Sequence, residues 1–250
     1  MHLTIITGAS RGLGRALAEA SLGPDRLLLC MARSSMADLA MAAARHGCLL
    51  DARSVNLANV NAAVAALANG IGEVDVSMVT AATLINNAGS VDPVKPAEKL
   101  KPEEVAASVA LNLSTPIALT GAFLRITAGW RVPRRVLNIT SGAAHHPYHG
   151  WSVYCATKAG LDQFSRCVAL EQEGLANAAK IVSLAPGVID TAMQEQLRAA
   201  SADDSRERGR FVALHEGGEL QAPAEVAQRI LAYLQHPDYG TQVVADLRKI

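Results

Sequence analysis

Short runs of aliphatic and β-branched residues alternate along this chain with longer stretches in which apolar residues recur every three or four positions. The first run, Leu3 to Ile6, breaks into a glycine cluster at Gly8, Gly12 and Gly14, after which Ala16, Leu17 and Ala20 share a helical face. The alternation continues with a strand from Leu27 to Met31, a helix from Met36 to His46, a charge-interrupted strand from Cys48 to Val55, and a helix from Val60 to Ala68. Thr83 to Ile85 reads as a buried strand, Glu103 to Ile126 as a helix that Pro116 kinks or breaks, and Arg135 to Ile139 as a strand. Ser152 is placed to cap a helix reaching about Glu173, with Val153, Ala156, Thr157, Gly160, Leu161, Phe164 and Val168 on the apolar period. Ile181 to Leu184 closes as a strand, Pro223 opens a helix through Leu234, and Thr241 to Ala245 offers a last strand. Repeated strand–helix–strand units require a parallel sheet covered on both faces, so the expected fold is a doubly wound α/β domain spanning residues 1–250.

One segment breaks the pattern. Between Thr191 and Gly218, Asp203, Asp204, Arg206, Glu207, Arg208 and Arg210 crowd between apolar stretches, which describes either a solvated face or a lid over a ligand crevice.

Composition narrows the partners. Basic and acidic residues number 23 each, so no net field recruits nucleic acid or an anionic membrane, and a small molecule is the better fit. No window reads as long and apolar enough for a membrane span, and no export leader is evident. Cys30, Cys48, Cys155 and Cys167 lack Cys-x-x-Cys spacing, which points away from a zinc or redox motif and toward a reducing cytoplasm. His145, His146 and His149 cluster in a loop around Pro147 without a carboxylate at ligand spacing, so no metal is expected there.

The glycine turn Thr7-Gly8-Ala9-Ser10-Arg11-Gly12-Leu13-Gly14 lies where a dinucleotide pyrophosphate meets a helix N-terminus. Glycine permits close approach of phosphate there, and free backbone N–H groups supply the charge complement. The second strand ends Met31-Ala32-Arg33-Ser34, with arginine where a carboxylate would hold a free ribose diol. Arg33, with Arg11 from the turn, offers a forked donor to a 2′-phosphate and favours NADPH over NADH, unless Arg33 is merely a solvated strand-end residue.

Tyr154 and Lys158 stand four apart on a predicted helix and share a face. A tyrosine with a pKa near 10 exchanges protons poorly at neutral pH, and a neighbouring ammonium is expected to lower it. Ser141 follows the strand at Asn138-Ile139-Thr140, Asn86-Asn87-Ala88-Gly89 ends another, and Asn112 sits in Leu111-Asn112-Leu113.

With the glycine turn and Pro186-Gly187-Val188-Ile189-Asp190-Thr191, these motifs resemble the short-chain dehydrogenase/reductase family in order and spacing over nearly the whole chain. The resemblance implies a Rossmann-type, seven-stranded parallel sheet and a catalytic tetrad falling on Asn112, Ser141, Tyr154 and Lys158. It further implies NADP(H) contacts at Thr7, Gly8, Ser10, Arg11, Gly12, Leu13, Gly14, Arg33, Asn56, Asn87, Ala88, Gly89, Tyr154, Lys158, Pro186, Gly187, Val188 and Thr191. Asn56 departs from the aspartate usual near the adenine but keeps an acceptor oxygen. In the implied reduction Tyr154 protonates the developing alkoxide, Ser141 hydrogen-bonds it, Lys158 holds the nicotinamide ribose, and Asn112 holds a water that refills the proton.

Gly150 to Cys155, Ala169-Leu170-Glu171 and Pro186 to Gln194 look similar to the branch containing sepiapterin and benzil reductases, which act on vicinal dicarbonyls and α-hydroxyketones. A pocket drawn from Ala143, Trp151, Val188 and Met193, beside Ser141 and Tyr154, suits an apolar diketone. Asp246 is the nearest candidate for the pterin-anchoring aspartate of sepiapterin reductases, slightly out of register. Cys155 is read as packing. General alcohol dehydrogenase or 3-oxoacyl reductase activity is the alternative, and an NADPH sensor without turnover is a further one. Self-association as a homodimer or homotetramer, through Glu103 to Ile126 and Ser152 to Glu173, is implied by the resemblance.

Overall fold

The computed structural model describes residues 1–199 and 205–250. Seven strands form one sheet in the order β3-β2-β1-β4-β5-β6-β7, with every pairing parallel. They are β1 (His2–Thr7), β2 (Arg26–Ala32), β3 (Leu49–Ser54), β4 (Ala81–Asn86), β5 (Arg134–Ile139), β6 (Lys180–Ala185) and β7 (Val244–Asp246). Among the described residues the helices are α1 (Gly12–Ala20), α2 (Ala37–Arg45), α3 (Val60–Gly72), α4 (Pro102–Val109), α5 (Thr115–Ile126), α6 (Ser152–Gln172), α7 (Ala192–Ala199), α8 (Arg208–Glu216) and α9 (Pro223–Gln235).

Strand alternation sorts the core into two layers. On β2, Leu28 and Cys30 pack with α1, α2 and α9, whereas Leu29 and Met31 pack with α3, α5 and α6. Both faces of the sheet are therefore apolar, which is why its strands read as nearly continuous hydrophobic runs. The order reverses between β1 and β4, and ligands of such sheets bind beyond the strand C-termini at that switch point.

Several boundaries differ from expectation. Helix α3 continues past Ala68 to Gly72, because Gly70 lies against β2: a Cβ there would sit 2.6 Å from a Leu29 methyl. Trp151, not Ser152, is the N-cap of α6; its carbonyl accepts the Cys155 N–H at 2.8 Å, and Ser152 becomes the first helical residue. Strand β7 starts at Val244, since Thr241 is held in a turn by its N–H and hydroxyl donating to the Asp238 carbonyl. Around Pro116 the chain neither ends nor bends away; it forms a π-helical turn at Ala110–Ser114 between α4 and α5.

The run Pro102–Ile126 corrects the expectation about membrane length: by length and composition, this helical stretch of 25 residues, with an 18-residue window of mean hydropathy 1.4, is apolar enough to span one. Its apolarity has a core function, since Leu119, Ala122 and Phe123 are buried against the sheet.

Candidate active site

The glycine turn after β1 is locked to the end of β4. The Thr7 hydroxyl accepts the backbone N–H groups of Asn87 and Ala88, both at 3.0 Å, and the Asn87 amide donates to the Thr7 carbonyl at 2.9 Å. Gly14 makes this packing possible, because a Cβ would meet the Gly8 carbonyl oxygen at 2.2 Å and the Asn87 amide at 2.4 Å. The side chains of Thr7 and Asn87 thus hold the turn itself. Ser10, Gly12 and Leu13 line the turn, and no side chain caps α1, whose first-turn N–H groups remain open to an anion.

Across the crevice, Thr191 comes within 3.3 Å of where a Gly12 Cβ would stand, so the Pro186–Thr191 loop faces the glycine turn. Gly187 has a positive φ of 94° and lies beside Gln221 and Arg248. Arg11 and Arg33 are both exposed, and neither forms an ion pair among the described residues. Asn56, also exposed, uses its side-chain oxygen to accept the Ala58 N–H at 3.1 Å. A dinucleotide fits this crevice: glycines at 12 and 89 leave space where a side chain would intrude, and open N–H groups and two guanidinium groups ring it.

The catalytic candidates meet at the other end. The Ser141 hydroxyl lies near enough to the Tyr154 phenol to draw its pKa down, and it accepts the Ala143 N–H at 3.2 Å. Lys158 Nζ lies 5.6 Å from the Tyr154 ring centre and donates to the Ile139 carbonyl at 2.8 Å. A Cβ on Gly89 would stand 3.0 Å from the Asn112 carboxamide oxygen and 3.7 Å from Lys158 Nζ, so these two groups meet beside Gly89, with the Tyr154 ring 5.6 Å from Lys158 Nζ. The Asn112 carboxamide clamps the loop after β4, accepting the Ser90 N–H at 2.9 Å and donating to the Ser90 carbonyl at 2.8 Å. Pro116 has no N–H for the Asn112 carbonyl at the i−4 position, and in the π turn Thr115 donates to Ala110 instead.

The expected acidification of the phenol is absent here. Burial pushes Tyr154 up to about 12, and the Ser141 hydrogen bond offsets this only in part. Burial also lowers Lys158 to about 8, opposed by the negative charge of Asp162. Both groups lie deep in the fold, and loss of hydration is the largest cause of each shift.

An apolar cluster adjoins the phenol. Ala143, Trp151 and Tyr154 pack with Val91, Leu197 and Phe211, with Tyr148 and Met193 at the margin. Trp151 meets Tyr154 edge-on at 5.8 Å and stacks on Phe211 of α8. Among the described residues of 191–218, Leu197 and Phe211 pack inward beside the phenol, while Arg206, Arg208 and Arg210 are exposed. Asp203 and Asp204 lie outside the described residues. Val188 is half-buried in its loop and is not in this cluster.

Asn86, Asn138, Ser165 and Asp162 have structural roles that the motif reading did not assign. Asn86 donates to Asn138 at 2.8 Å and Asn138 to Ser165 at 2.9 Å, a buried chain that ties β4 and β5 to α6. Buried Asp162, one turn beyond Lys158, accepts from Ser183 at 2.7 Å and lies 3.2 Å from His145. That contact accounts for His145, which pairs with a carboxylate rather than with its neighbours.

Residues 2–202 match the family model described as short chain dehydrogenase. Over 239 residues, 96% of each protein, the chain is 38% identical to a benzil reductase, (S)-benzoin forming, of Bacillus cereus. It is 31% identical to a sepiapterin reductase of Xenopus tropicalis, covering 84% of this chain and 85% of that one. A crystal structure of a short-chain dehydrogenase/reductase from Burkholderia vietnamiensis superposes with a TM-score of 0.66 at 35% identity, covering 100% of this chain and 98% of that one.

Proposed function

Because this chain belongs to the short-chain dehydrogenase family and is an oxidoreductase of that family, we propose that it is an NADPH-dependent reductase of vicinal diketones or α-hydroxyketones, of benzil rather than pterin type. The observation that carries this reading is the Ser141 hydroxyl close to the Tyr154 phenol, beside an apolar cluster that includes Trp151 stacked on Phe211. NADPH, when bound, supplies the hydride that reaches the carbonyl carbon.

Tyr154 keeps its proton at neutral pH, because burial holds the phenol near 12, and a retained proton is what a donor to a forming alkoxide needs. Ser141 orients the carbonyl oxygen and strengthens its hydrogen bond as charge grows there. Lys158, held by the Ile139 carbonyl beside Gly89, is positioned for the ribose hydroxyls, and the Asn112 carbonyl without its i+4 donor is suited to hold a water that restores the proton through Lys158. Arg33 and Arg11, exposed and unpaired, suit a 2′-phosphate.

Asp246 favours the diketone over the pterin. Its carboxylate accepts from Arg248 at 2.9 and 2.5 Å and from the Arg248 N–H at 3.0 Å, leaving little capacity to anchor a pterin ring. NADPH oxidation with benzil and with sepiapterin tests the reading: turnover of benzil well above sepiapterin is expected, and activity with neither would overturn the substrate class. Pairing of copies through 102–126 and α6 belongs to the same reading, supported by the 44% burial of the most apolar window in 102–126. So does a cytoplasmic location, with which the free thiols at Cys30, Cys48, Cys155 and Cys167 agree.

A further inference from the structure

A second polar cavity lies at the opposite end of the sheet, beneath the strand N-termini. His2 and Thr4 of β1, Arg26 of β2, Thr83 of β4 and Arg135 of β5 line a cavity of about 490 Å³, roofed by the ends of α1 and α9 through Ser21, Leu231 and Gln235. A neighbouring hollow of about 500 Å³ shares His2, Arg26 and Ala81 and adds Asp25. The two arginines project from the same face of the sheet in flanking strands, and Thr83 is paired with Arg135 across β4 and β5.

Hydrogen-bond polarity determines what this cavity offers. Arg26 contacts His2 Nδ1 at 2.9 Å, and a guanidinium can only donate, so Nδ1 is the acceptor and Nε2 carries the hydrogen. His2 Nε2 therefore donates to the Thr83 hydroxyl at 2.9 Å, which leaves the Thr83 proton available to a further acceptor. Arg135 has its Nε buried without a partner, and neither Arg26 nor Arg135 is in an ion pair among the described residues. Both guanidinium groups are close enough to disfavour the His2 imidazolium, which burial and these charges hold down to about 4. The exposed Asp25 carboxylate is the acidic group lining the adjoining hollow.

Two guanidinium-bearing residues outside any ion pair among the described residues, with a threonine whose hydroxyl proton is free, line one cavity that has no carboxylate among its lining residues. We infer that this is a binding site for a small oxyanion of phosphate type, separate from the dinucleotide crevice at the other end of the strands. Forked arginine donors match tetrahedral oxyanions, and the volume exceeds what one phosphate needs.

The probe is inorganic phosphate, titrated at constant ionic strength into the protein saturated with NADPH so that the crevice's own phosphate contacts are occupied. Calorimetry is expected to report one site, weakened at least tenfold in Arg135→Gln and in Arg26→Gln. The imidazole resonances of His2 in the wild-type protein are expected to shift along the same isotherm, a readout that needs no variant to fold. Phosphate binding that NADPH abolishes, or that leaves the His2 resonances unmoved, would overturn the assignment; so would affinity unchanged in both folded variants.

Discussion

The indole of Trp151 lies face to face with the Phe211 ring, centroids 5.4 Å apart and planes within 8°. One residue caps the catalytic helix and the other belongs to α8, so this single stack fastens the covering segment to the proton donor's helix. Stacked aromatic pairs contribute roughly 0.5–1.5 kcal/mol beyond the area they bury. Phe211→Ala is expected to raise the KM for benzil about tenfold and to change the KM for NADPH less than twofold. Steady-state kinetics with each substrate varied will check this, and equal effects on both would contradict a role confined to the apolar cluster beside the phenol.

Removing the phenolic hydroxyl separates chemistry from binding. Tyr154→Phe keeps the ring that packs against Trp151 but has no proton to give. Loss of at least a thousandfold in kcat is expected, while NADPH affinity by fluorescence titration stays within threefold; general acid catalysis accounts for roughly that range of rate. Residual activity near wild type would remove Tyr154 from the mechanism.

Cofactor choice is expected to follow Arg33. Hydrogen bonds to a charged partner contribute roughly 1.5–3 kcal/mol, and about 1.4 kcal/mol is tenfold in affinity. Replacing Arg33 and Arg11 with alanine is expected to lower the NADPH-to-NADH ratio of kcat/KM by about 10- to 100-fold. A ratio that does not move would show that these exposed side chains leave the cofactor's phosphate alone.

Lys158 makes stability depend on alkaline pH. Its folded pKa is about 8 against 10.5 for the free side chain, so between those values the unfolded chain binds more protons and folding gains as pH rises. Below about pH 8 the cost of burying the cation is present in full. Lys158→Met removes that cost, and its stability advantage over wild type in urea unfolding is expected to be largest at pH 7 and to shrink toward pH 10. A difference constant across that range would show that the buried ammonium is not destabilised.

The strands were legible because each feeds two cores, as Leu28 and Leu29 do, and continuous apolar runs follow from that. The catalytic side chains were legible because Tyr154 and Lys158 share a helix and their spacing alone puts them together. What the sequence concealed depends on contacts between distant segments. Gly70 resembles a helix breaker until Leu29 is seen to occupy its missing side chain's place. The buried Asn86–Asn138–Ser165 chain joins three elements with no common motif, and the charges of 206–210 mask the inward face of Phe211. The phenol's protonation was misjudged because spacing reveals a neighbouring charge but not the depth at which both groups lie.

Thr7 stands on the seam between β1 and β4, where the two halves of the sheet part company. The glycine turn and Arg33 hang from one half, and Ser141, Tyr154 and Lys158 from the other, so any splaying along that line would draw the proposed cofactor-phosphate contacts away from the proposed reacting groups. Hydride transfer tolerates little such drift. A hydroxyl that touches no reacting atom thereby acts as a rivet between segments 80 residues apart in the chain, fixing the alignment of the two half-sites.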